Sequence, residues 1–189
     1  IGWLEILKLD NVEESTIVEI EKDITRLQTI TDRFSKIGSE PVLEKRDIVE
    51  DTKNTVDYLQ TRVSQQVNFN FEAPQHPILV EINPALHSWT IENLVKNAID
   101  AMKGKGSLNI GISELEDIVK ISITDSGKGI PKNQFTKVFE PGFTTKKRGW
   151  GLGLSLTKRI VQEYHKGKIK VAHSEIGKGT TMQISYKTA

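Results

Sequence analysis

The chain has 189 residues with 26 basic and 25 acidic side chains, which gives a net charge of +1. This length allows one or two compact units, and the balanced charge argues against a nucleic-acid binder of the strongly basic type. Cysteine is absent, which excludes disulfides and thiolate nucleophiles. No apolar run is long enough to span a bilayer. Because the sequence starts at Ile1 with neither an initiator Met nor a signal peptide, we expect a cytoplasmic piece of a longer protein, with any membrane attachment outside it.

Charge is unevenly distributed along the chain. Residues 1–60 carry a net charge of −6, whereas residues 61–189 carry +7. Within residues 128–148, six basic side chains accompany a single acid, Glu140. Such a block is usually a solvated loop, and the alternative is a site for a polyanion.

The first 40 residues predict a helical hairpin, which we treat as one domain. Apolar side chains from Ile17 to Phe34 recur at alternating spacings of three and four, which is the seam of a coiled coil. Gly38 and Pro41 end the second helix. Since so thin a hairpin leaves its apolar face exposed, we expect residues 1–38 to form a homodimer as a helical bundle. The alternative is a coiled arm that packs on its own domain.

Helices and strands are mixed in the second predicted domain, residues 41–189. Asp47 and Glu50 have the spacing of a capping box and begin a helix. The later elements are strands at Val67–Phe71 and Leu79–Ile82, a helix from Pro84 to about Lys103, a hairpin of Leu108–Ser113 with Ile118–Thr124, a helix after Gly153, and a hairpin of Lys168–His173 with Thr180–Tyr186. This order favours an α+β fold, a two-layer α/β sandwich with a mixed sheet and one helical layer, over a doubly wound sheet.

Two clusters in the first half of this domain are candidates for chemistry. Asn93 and Asn97 are four apart, so both amides leave one face of a helix. Asparagine is a poor helix former, so the pair indicates a hard-cation ligand or phosphate contacts, unless the face is simply solvated. Asp125, Gly127 and Gly129 directly follow a strand. The glycines allow a sharp turn close to a ligand, and the carboxylate can accept from an exocyclic amine; alone, the pattern could be only a turn.

Two further clusters follow. In Phe139–Lys146, aromatic side chains flank Pro-Gly, and two hydroxyls and a cation come next; the alternative is a plain surface loop. Gly149–Gly153 precedes a helix and has the spacing of neither a Walker A loop nor a dinucleotide-binding fingerprint. Its backbone N–H groups could still bind phosphate.

In this order, the four clusters resemble the N, G1, F and G2 boxes of bacterial two-component sensor histidine kinases. The resemblance covers residues 42–189 as the ATP-binding catalytic domain, a member of the Bergerat-fold ATPase superfamily. Residues 1–40 are similar to the end of the family's dimerisation and phosphoacceptor hairpin.

The resemblance implies ATP and Mg²⁺ as ligands. The implied ATP-binding residues are Asn93, Asn97, Asp125, Gly127, Gly129, Thr144, Thr145, Lys146, Gly149, Gly151, Leu152, Gly153, Thr180 and Thr181. Asn97 would bind the Mg²⁺ that bridges the phosphates, and Asp125 would receive the adenine amino group. Either Thr180 or Thr181 would contact adenine through water. Thr144 to Lys146 would belong to a mobile lid, hinged by the glycines at 149, 151 and 153.

The phosphoacceptor histidine of this family is absent from the first 40 residues. The four histidines are His76, His87, His165 and His173, and we expect a structural role for each. His165 stands at a helix end, where a positive charge suits the helix dipole. We therefore expect the acceptor upstream of Ile1, and we assign no catalytic acid or base in this chain.

Three functions are compatible with these motifs. The first is the catalytic core of a protein-histidine kinase, which transfers the γ-phosphoryl of ATP to a histidine and onward to an aspartate of a response-regulator receiver domain. The second is a gyrase-type ATP hydrolase, which would need a glutamate base where Asn93 stands. The third is a non-catalytic nucleotide-binding dimer scaffold. The first is the prediction.

Overall fold

The computed structural model describes residues 41–146 and 150–189. Val42–Ala189 form one compact unit. The predicted helical hairpin at 1–40, the homodimer contact assigned to residues 1–38, and Gly149 lie outside the described residues, so they stay predictions, as does the domain boundary.

Seven strands and three helices make up this unit. The strands are β1 (Glu44–Asp47), β2 (Val67–Glu72), β3 (Leu79–Ile82), β4 (Gly106–Leu115), β5 (Ile118–Asp125), β6 (Lys168–Glu175) and β7 (Gly179–Lys187). The helices are α1 (Ile48–Gln60), α2 (Pro84–Ala101) and α3 (Gly153–Arg159), with a π turn at Ile160–Tyr164 and 3₁₀ turns at Lys132–Gln134 and Lys137–Phe139.

Five strands form a mixed sheet in the order β2-β4-β5-β7-β6. The β2–β4 pair is parallel and the other three pairs are antiparallel, while β1 and β3 form a separate antiparallel pair. Alternate residues of β5, from Val119 to Asp125, are buried beneath the helices. The predicted two-layer sandwich with a mixed sheet, and both predicted hairpins, are confirmed.

Helix α2 lies on the sheet and carries the central part of the site. Asn83 caps its first turn by accepting a hydrogen bond from the backbone N–H of Leu86 at 3.1 Å, and Pro84 occupies the first turn, where a missing N–H costs nothing. Ile91, Leu94, Val95 and Ala98 bury the face toward the sheet. The helix therefore holds its polar face, including positions 93, 97 and 100, away from the core.

Strand β1 has no counterpart among the predicted elements. Its four residues pair with β3, and its last residue, Asp47, is also the N-cap of α1. The Asp47 carboxylate accepts from the backbone N–H groups of Val49 at 3.0 Å and of Ile78 at 3.1 Å. The cap thereby ties α1 to the segment before β3.

Strand β6 forms one edge of the five-stranded sheet, and a bulge lies between Val171 and His173.

In the part of the chain that the structure describes, no helix is both long and apolar enough to cross a membrane.

Candidate functional site

Four segments that carry predicted site residues, α2 itself included, meet on α2 between Asn93 and Ala101, whereas Thr181 does not lie there. Asn93 and Ala101 are eight positions apart, which corresponds to about 12 Å of helix. Three other parts of the chain meet this stretch: the turn after β5, the start of α3, and the loop at residues 140–146, called the lid loop below. An elongated ligand would therefore find different chemistry at its two ends.

One end of the site is the buried carboxylate of Asp125, which is 6% exposed at the end of β5. Its Oδ1 accepts a hydrogen bond from the backbone N–H of Gly127 at 2.8 Å. Burial raises the pKa of this carboxyl above its ordinary value, and the backbone N–H groups of Gly127 and Thr180 oppose that rise. The arrangement places a fixed acceptor at the floor of the site.

The two glycines of the turn after β5 are needed because backbone approaches them closely. A Cβ at Gly127 would lie 2.7 Å from the carbonyl oxygen of Ala101, the last residue of α2. Gly129 has φ +74°, and a Cβ there would overlap the carbonyl oxygen of Glu175 in β6. The turn is also tied to α2, since the Lys128 N–H donates to the Ala101 carbonyl at 3.1 Å.

The two candidate threonines of β7 lie on opposite faces of the sheet. Thr180 pairs with Asp125 across the β5–β7 ladder, is buried on the same face, and shares a 2.9 Å hydrogen bond with Ser174. Thr181 faces away from the helices, where its hydroxyl lies 3.0 Å from that of Thr124. The structure therefore brings Thr180 to Asp125 and does not bring Thr181 there.

Asn93 lies at the other end of the stretch, against the start of α3. Its Nδ2 donates to Thr157 Oγ1 at 2.7 Å. A Cβ at Gly153 would lie 2.6 Å from Asn93 Oδ1, so the glycine allows α3 to begin directly against the amide. Leu152 is the N-cap residue of α3, and its carbonyl accepts from Leu156 N–H and Ser155 Oγ. Asn93 thus joins α2 to α3.

The lid loop brings a cation to Asn97. Lys146 Nζ donates to Asn97 Oδ1 at 3.0 Å and to Asp100 Oδ2, three residues further along α2. Thr145 Oγ1 accepts from Lys128 Nζ at 2.7 Å. Thr144 Oγ1 accepts from the backbone N–H of Lys146 at 3.1 Å. Thr144 therefore makes a hydrogen bond within the lid loop, Thr145 joins the loop to the turn after β5, and Lys146 joins it to α2.

The rest of this loop is anchored at its base. Phe139 is buried in the core, and the Gly142 N–H donates to the Gly151 carbonyl at 3.1 Å. Gly151 has φ +65° and lies close against Gly142. Trp150, beside Gly151, is 63% exposed.

The sequence model of the histidine kinase-, DNA gyrase B- and HSP90-like ATPases matches residues 86–189, which include all of α2 after its first turn and every segment just described. The chain belongs to this family. Within it, the relatives are sensor histidine kinases, as the four sequence motifs predict.

Two curated relatives illustrate the match. Sensor histidine kinase ZraS of Escherichia coli (strain K12) is 40% identical over 121 residues, which cover 64% of this chain and 26% of the relative. Sporulation kinase E of Bacillus subtilis (strain 168) is 32% identical over 195 residues, which cover 97% of this chain and 26% of the relative. The chain spans about a quarter of the length of these relatives.

The histidine kinase ThkA provides the solved structures for comparison. Its nucleotide-free catalytic domain matches with a TM-score of 0.69 and 27% identity, over 77% of this chain and 95% of that one. ThkA in complex with the response regulator protein TrrA matches with a TM-score of 0.76 and 25% identity, over 100% of this chain and 56% of that one. The fold is that of the ATP-binding catalytic domain of sensor histidine kinases.

Three of the four histidines have hydrogen-bond partners outside the four motif clusters, and His173 lies opposite Thr181 in the β6–β7 ladder. His87 is buried, with Nε2 2.9 Å from Thr52 Oγ1, and His165 is buried, with Nε2 accepting from the Asn83 N–H at 3.1 Å. His76 is exposed, with Nε2 2.9 Å from the Glu114 carboxylate. The expectation of a positive charge on His165 is wrong, because burial lowers its pKa to about 4 and leaves the ring neutral at pH 7.

Sequence reasoning missed two polar groups of the site. Asp100 contacts Lys146, and its spacing of three from Asn97 on a predicted helix was the available signal. Ser174 accepts from the Ile130 N–H at 2.7 Å and donates to the Gly179 carbonyl at 2.9 Å, which ties the turn after β5 to the last hairpin. Nothing in the sequence around Ser174 indicates that role.

Proposed function

We propose that this chain binds Mg·ATP along α2 and presents the γ-phosphoryl group to a histidine, from which it passes to an aspartate of a response regulator. The observation that carries the proposal is the convergence of all four motif clusters on one 12 Å stretch (about eight helical residues) between Asn93 and Ala101. The buried carboxylate of Asp125 lies near the Ala101 end of the stretch, the Lys146 ammonium contacts Asn97 and Asp100, and the Asn93 amide lies at the opposite end.

Adenine suits the Asp125 end. A carboxylate whose Oδ1 is already held by the Gly127 N–H keeps a fixed orientation, so it can accept from the exocyclic amine of the base without further ordering. Thr180 is beside it on the same sheet face and can bind a water that reaches a ring nitrogen. We propose Thr180 for this role in place of Thr181.

The triphosphate suits the Asn97 end. Lys128 directs its ammonium group to Thr145 of the lid loop, and Lys146 of that loop directs its own to Asn97 on α2. Both ammonium groups can neutralise phosphate oxygens there. These side chains belong to the basic block that the sequence left open between a solvated loop and a polyanion site. We propose that this block binds a polyanion, which is the triphosphate of ATP.

Mg²⁺ fits the donor set at this end. Asn97 Oδ1 is a hard oxygen donor, and Lys146 Nζ already holds a positive charge against it at 3.0 Å. Among the described residues no group of three or more His, Asp and Glu side chains could hold a metal ion by itself, so phosphate oxygens and water would complete the shell. When bound, Mg²⁺ supplies charge neutralisation of the β- and γ-phosphates.

The protein's part in the reaction is mainly positioning. A histidine nitrogen attacks the γ-phosphorus, the bond from that phosphorus to the β,γ-bridging oxygen breaks, and ADP leaves with the electron pair. Asp125 fixes the base, Lys146 orients the terminal phosphate, and the lid loop excludes water. The acceptor histidine and the groups that assist it lie outside the described residues.

The partner proposal rests on a relative. ThkA is solved in complex with the response regulator protein TrrA, and we propose that the whole protein containing this chain acts on a response regulator in the same way. The homodimer through residues 1–38 is proposed from the apolar seam alone.

Hydrolysis of ATP is less well supported. Asn93 occupies the position of the base in gyrase-type enzymes, and its amide donates to Thr157. Glu92 next to it forms an ion pair with Lys96 at 2.6 Å on the outer face of α2. No carboxylate at these two positions is therefore set to deprotonate a water at the γ-phosphate.

The proposal is tested by transfer of radiolabelled γ-phosphate. The 189-residue chain alone should bind Mg·ATP but acquire no acid-labile label, because His87 and His165 are buried and we propose no acceptor role for His76 or His173. A version extended upstream by the acceptor helix should acquire acid-labile, base-stable label. Label on the short chain that disappears with His87→Gln or His165→Gln would contradict the proposal, and steady turnover without any acceptor would favour the hydrolase.

A further inference from the structure

Lys146 lies where the proposed metal would bind. Its ammonium contacts the Asn97 amide oxygen and the Asp100 carboxylate together, and the lysine and aspartate side chains are 44% and 54% exposed. Asn97 and Asp100 are three residues apart on α2, so their oxygens lie on the same side of the helix. The Lys146 ammonium of the lid loop therefore contacts two side-chain oxygens of α2.

The lysine and a divalent ion cannot both occupy these oxygens. Both are cations that need the lone pairs of Asn97 Oδ1, and repulsion between them adds to the competition for space. Asp100, which no sequence motif includes, provides the charge that holds the lysine down. A terminal phosphate is the natural replacement for that carboxylate, since it offers Lys146 at least as much negative charge.

We propose that the Lys146–Asp100 ion pair is a latch of the nucleotide-free site, and that Asp100 positions Lys146 over Asn97 until the Mg²⁺ and the γ-phosphate of ATP replace the two partners. This inference rests on the proposed function. ADP lacks the group that draws Lys146 away from Asp100, so after transfer the latch closes again. Asp100 thereby makes the lid loop respond to the third phosphate and not to the base.

The first test needs no nucleotide. The backbone N–H groups of Gly142, Phe143 and Lys146 are hydrogen-bonded, so their hydrogen exchange reports how firmly the lid loop is held. Asp100→Asn and Lys146→Met should each speed exchange of these amides about two- to fivefold, the range for an exposed ion pair. The double variant should exchange no faster than Lys146→Met alone, because without the lysine the Asp100 carboxylate has no ion pair left to lose.

The chain offers a matched control for that experiment. Lys53 and Asp57 form an ion pair on α1 with side-chain exposures of 54% and 53%, close to those of the latch. Asp57→Asn should leave lid-loop exchange unchanged. If Asp100→Asn changes exchange no more than Asp57→Asn does, or if the Asp100 and Lys146 effects add, the latch does not exist.

The second test measures nucleotide affinity by calorimetry. Asp100→Asn should raise the affinity for Mg·ATP about two- to fivefold, since Lys146 no longer has to leave a carboxylate, and should leave the affinity for adenosine unchanged. The gain should vanish in a Lys146→Met background. A gain that persists there would show that Asp100 only repels the phosphates, which overturns the latch. Failure of the unaltered chain to bind ATP would instead defeat the proposed function, while the exchange experiment would still decide whether the latch exists.

Discussion

His165 Nε2 accepts a hydrogen bond from the backbone N–H of Asn83 at 3.1 Å, which joins the end of the π turn to the first turn of α2. An accepting Nε2 carries no proton, so the ring is neutral with its proton on Nδ1. That Nδ1 and the Nδ1 of His87 are buried without a hydrogen-bond partner, and both rings meet Tyr186 edge-on. The end of the domain away from Asp125 thus contains two histidines that cannot easily take up a proton.

The stability of the domain should therefore decrease in mild acid. Burial lowers the pKa of His87 to about 3, with a smaller contribution from His165, and lowers that of His165 to about 4. Unfolding returns both to about 6.5. Their contribution is complete above pH 6.5 and is lost as the pH falls toward the folded values, because only the unfolded chain binds the protons. The free energy of unfolding should fall by up to about 1.4 kcal/mol per pH unit for each histidine.

Urea unfolding between pH 7.5 and pH 5 measures this loss. His87→Gln removes one titrating ring, so its urea midpoint should depend less on pH than that of the unaltered chain. Thr90→Val, a change at another buried polar residue of α2, should shift the midpoint equally at both pH values. An unchanged pH dependence in the glutamine variant would contradict the assignment.

Asp125→Asn should weaken binding of ATP, ADP and adenosine by a similar factor, because the base is common to all three. Loss of a hydrogen bond to a charged group corresponds to about 1.5–3 kcal/mol, or roughly 10–150-fold in affinity. Calorimetry with the three ligands measures the factors. Asp117→Asn, at the turn joining β4 and β5, is the control and should bind all three normally. A loss of affinity for ATP alone would contradict the proposed contact between Asp125 and the adenine base.

Asn97→Ala should discriminate among the same ligands. Its proposed partner is the metal on the phosphates, so the affinity for Mg·ATP should fall about 10–150-fold while that for adenosine stays nearly constant. Asn68→Ala, an exposed asparagine on β2, should change neither. If calorimetry shows that Asn97→Ala weakens the binding of adenosine as much as that of Mg·ATP, Asn97 does not act through the metal.

Gly129→Ala should destabilise the domain more than Gly104→Ala. The two glycines have φ +74° and +76°, so each substitution pays about 1–2 kcal/mol for the left-handed backbone. Only at Gly129 does a Cβ also overlap the Glu175 carbonyl, whereas at Gly104 nothing lies within 4 Å. The overlap should add about 1–3 kcal/mol, measurable as a lower urea midpoint. Equal midpoints for the two variants would mean that β6 moves aside without cost.

Alternation of apolar and polar residues was enough to predict both hairpins, since each is formed by neighbouring segments with a short turn. It could not predict β1, whose sequence Glu-Lys-Arg-Asp has no alternation and which forms only because β3 offers backbone partners. Strand pairing between distant segments depends on where the rest of the chain places the partner.

The candidate site, like the fold, could be predicted from the sequence only in part. The order of the motifs indicated which residues to consider, but not how they face one another. The parity of β7 could have selected Thr180, which shares a face with Met182, Ile184 and Tyr186. The contact of Lys146 with Asp100 joins residues 46 positions apart, and no local pattern encodes such a distance.

The bulge in β6 has a consequence for how this domain behaves among its own copies. An outer strand offers unpaired backbone groups to any passing chain, and a long flat one invites stacking into fibrils. The break between Val171 and His173 interrupts the regular ladder, and exposed Lys168 and Lys170 put like charges on the approaching edges. The bulge and the two lysines therefore oppose pairing of this edge with the edge of a second copy.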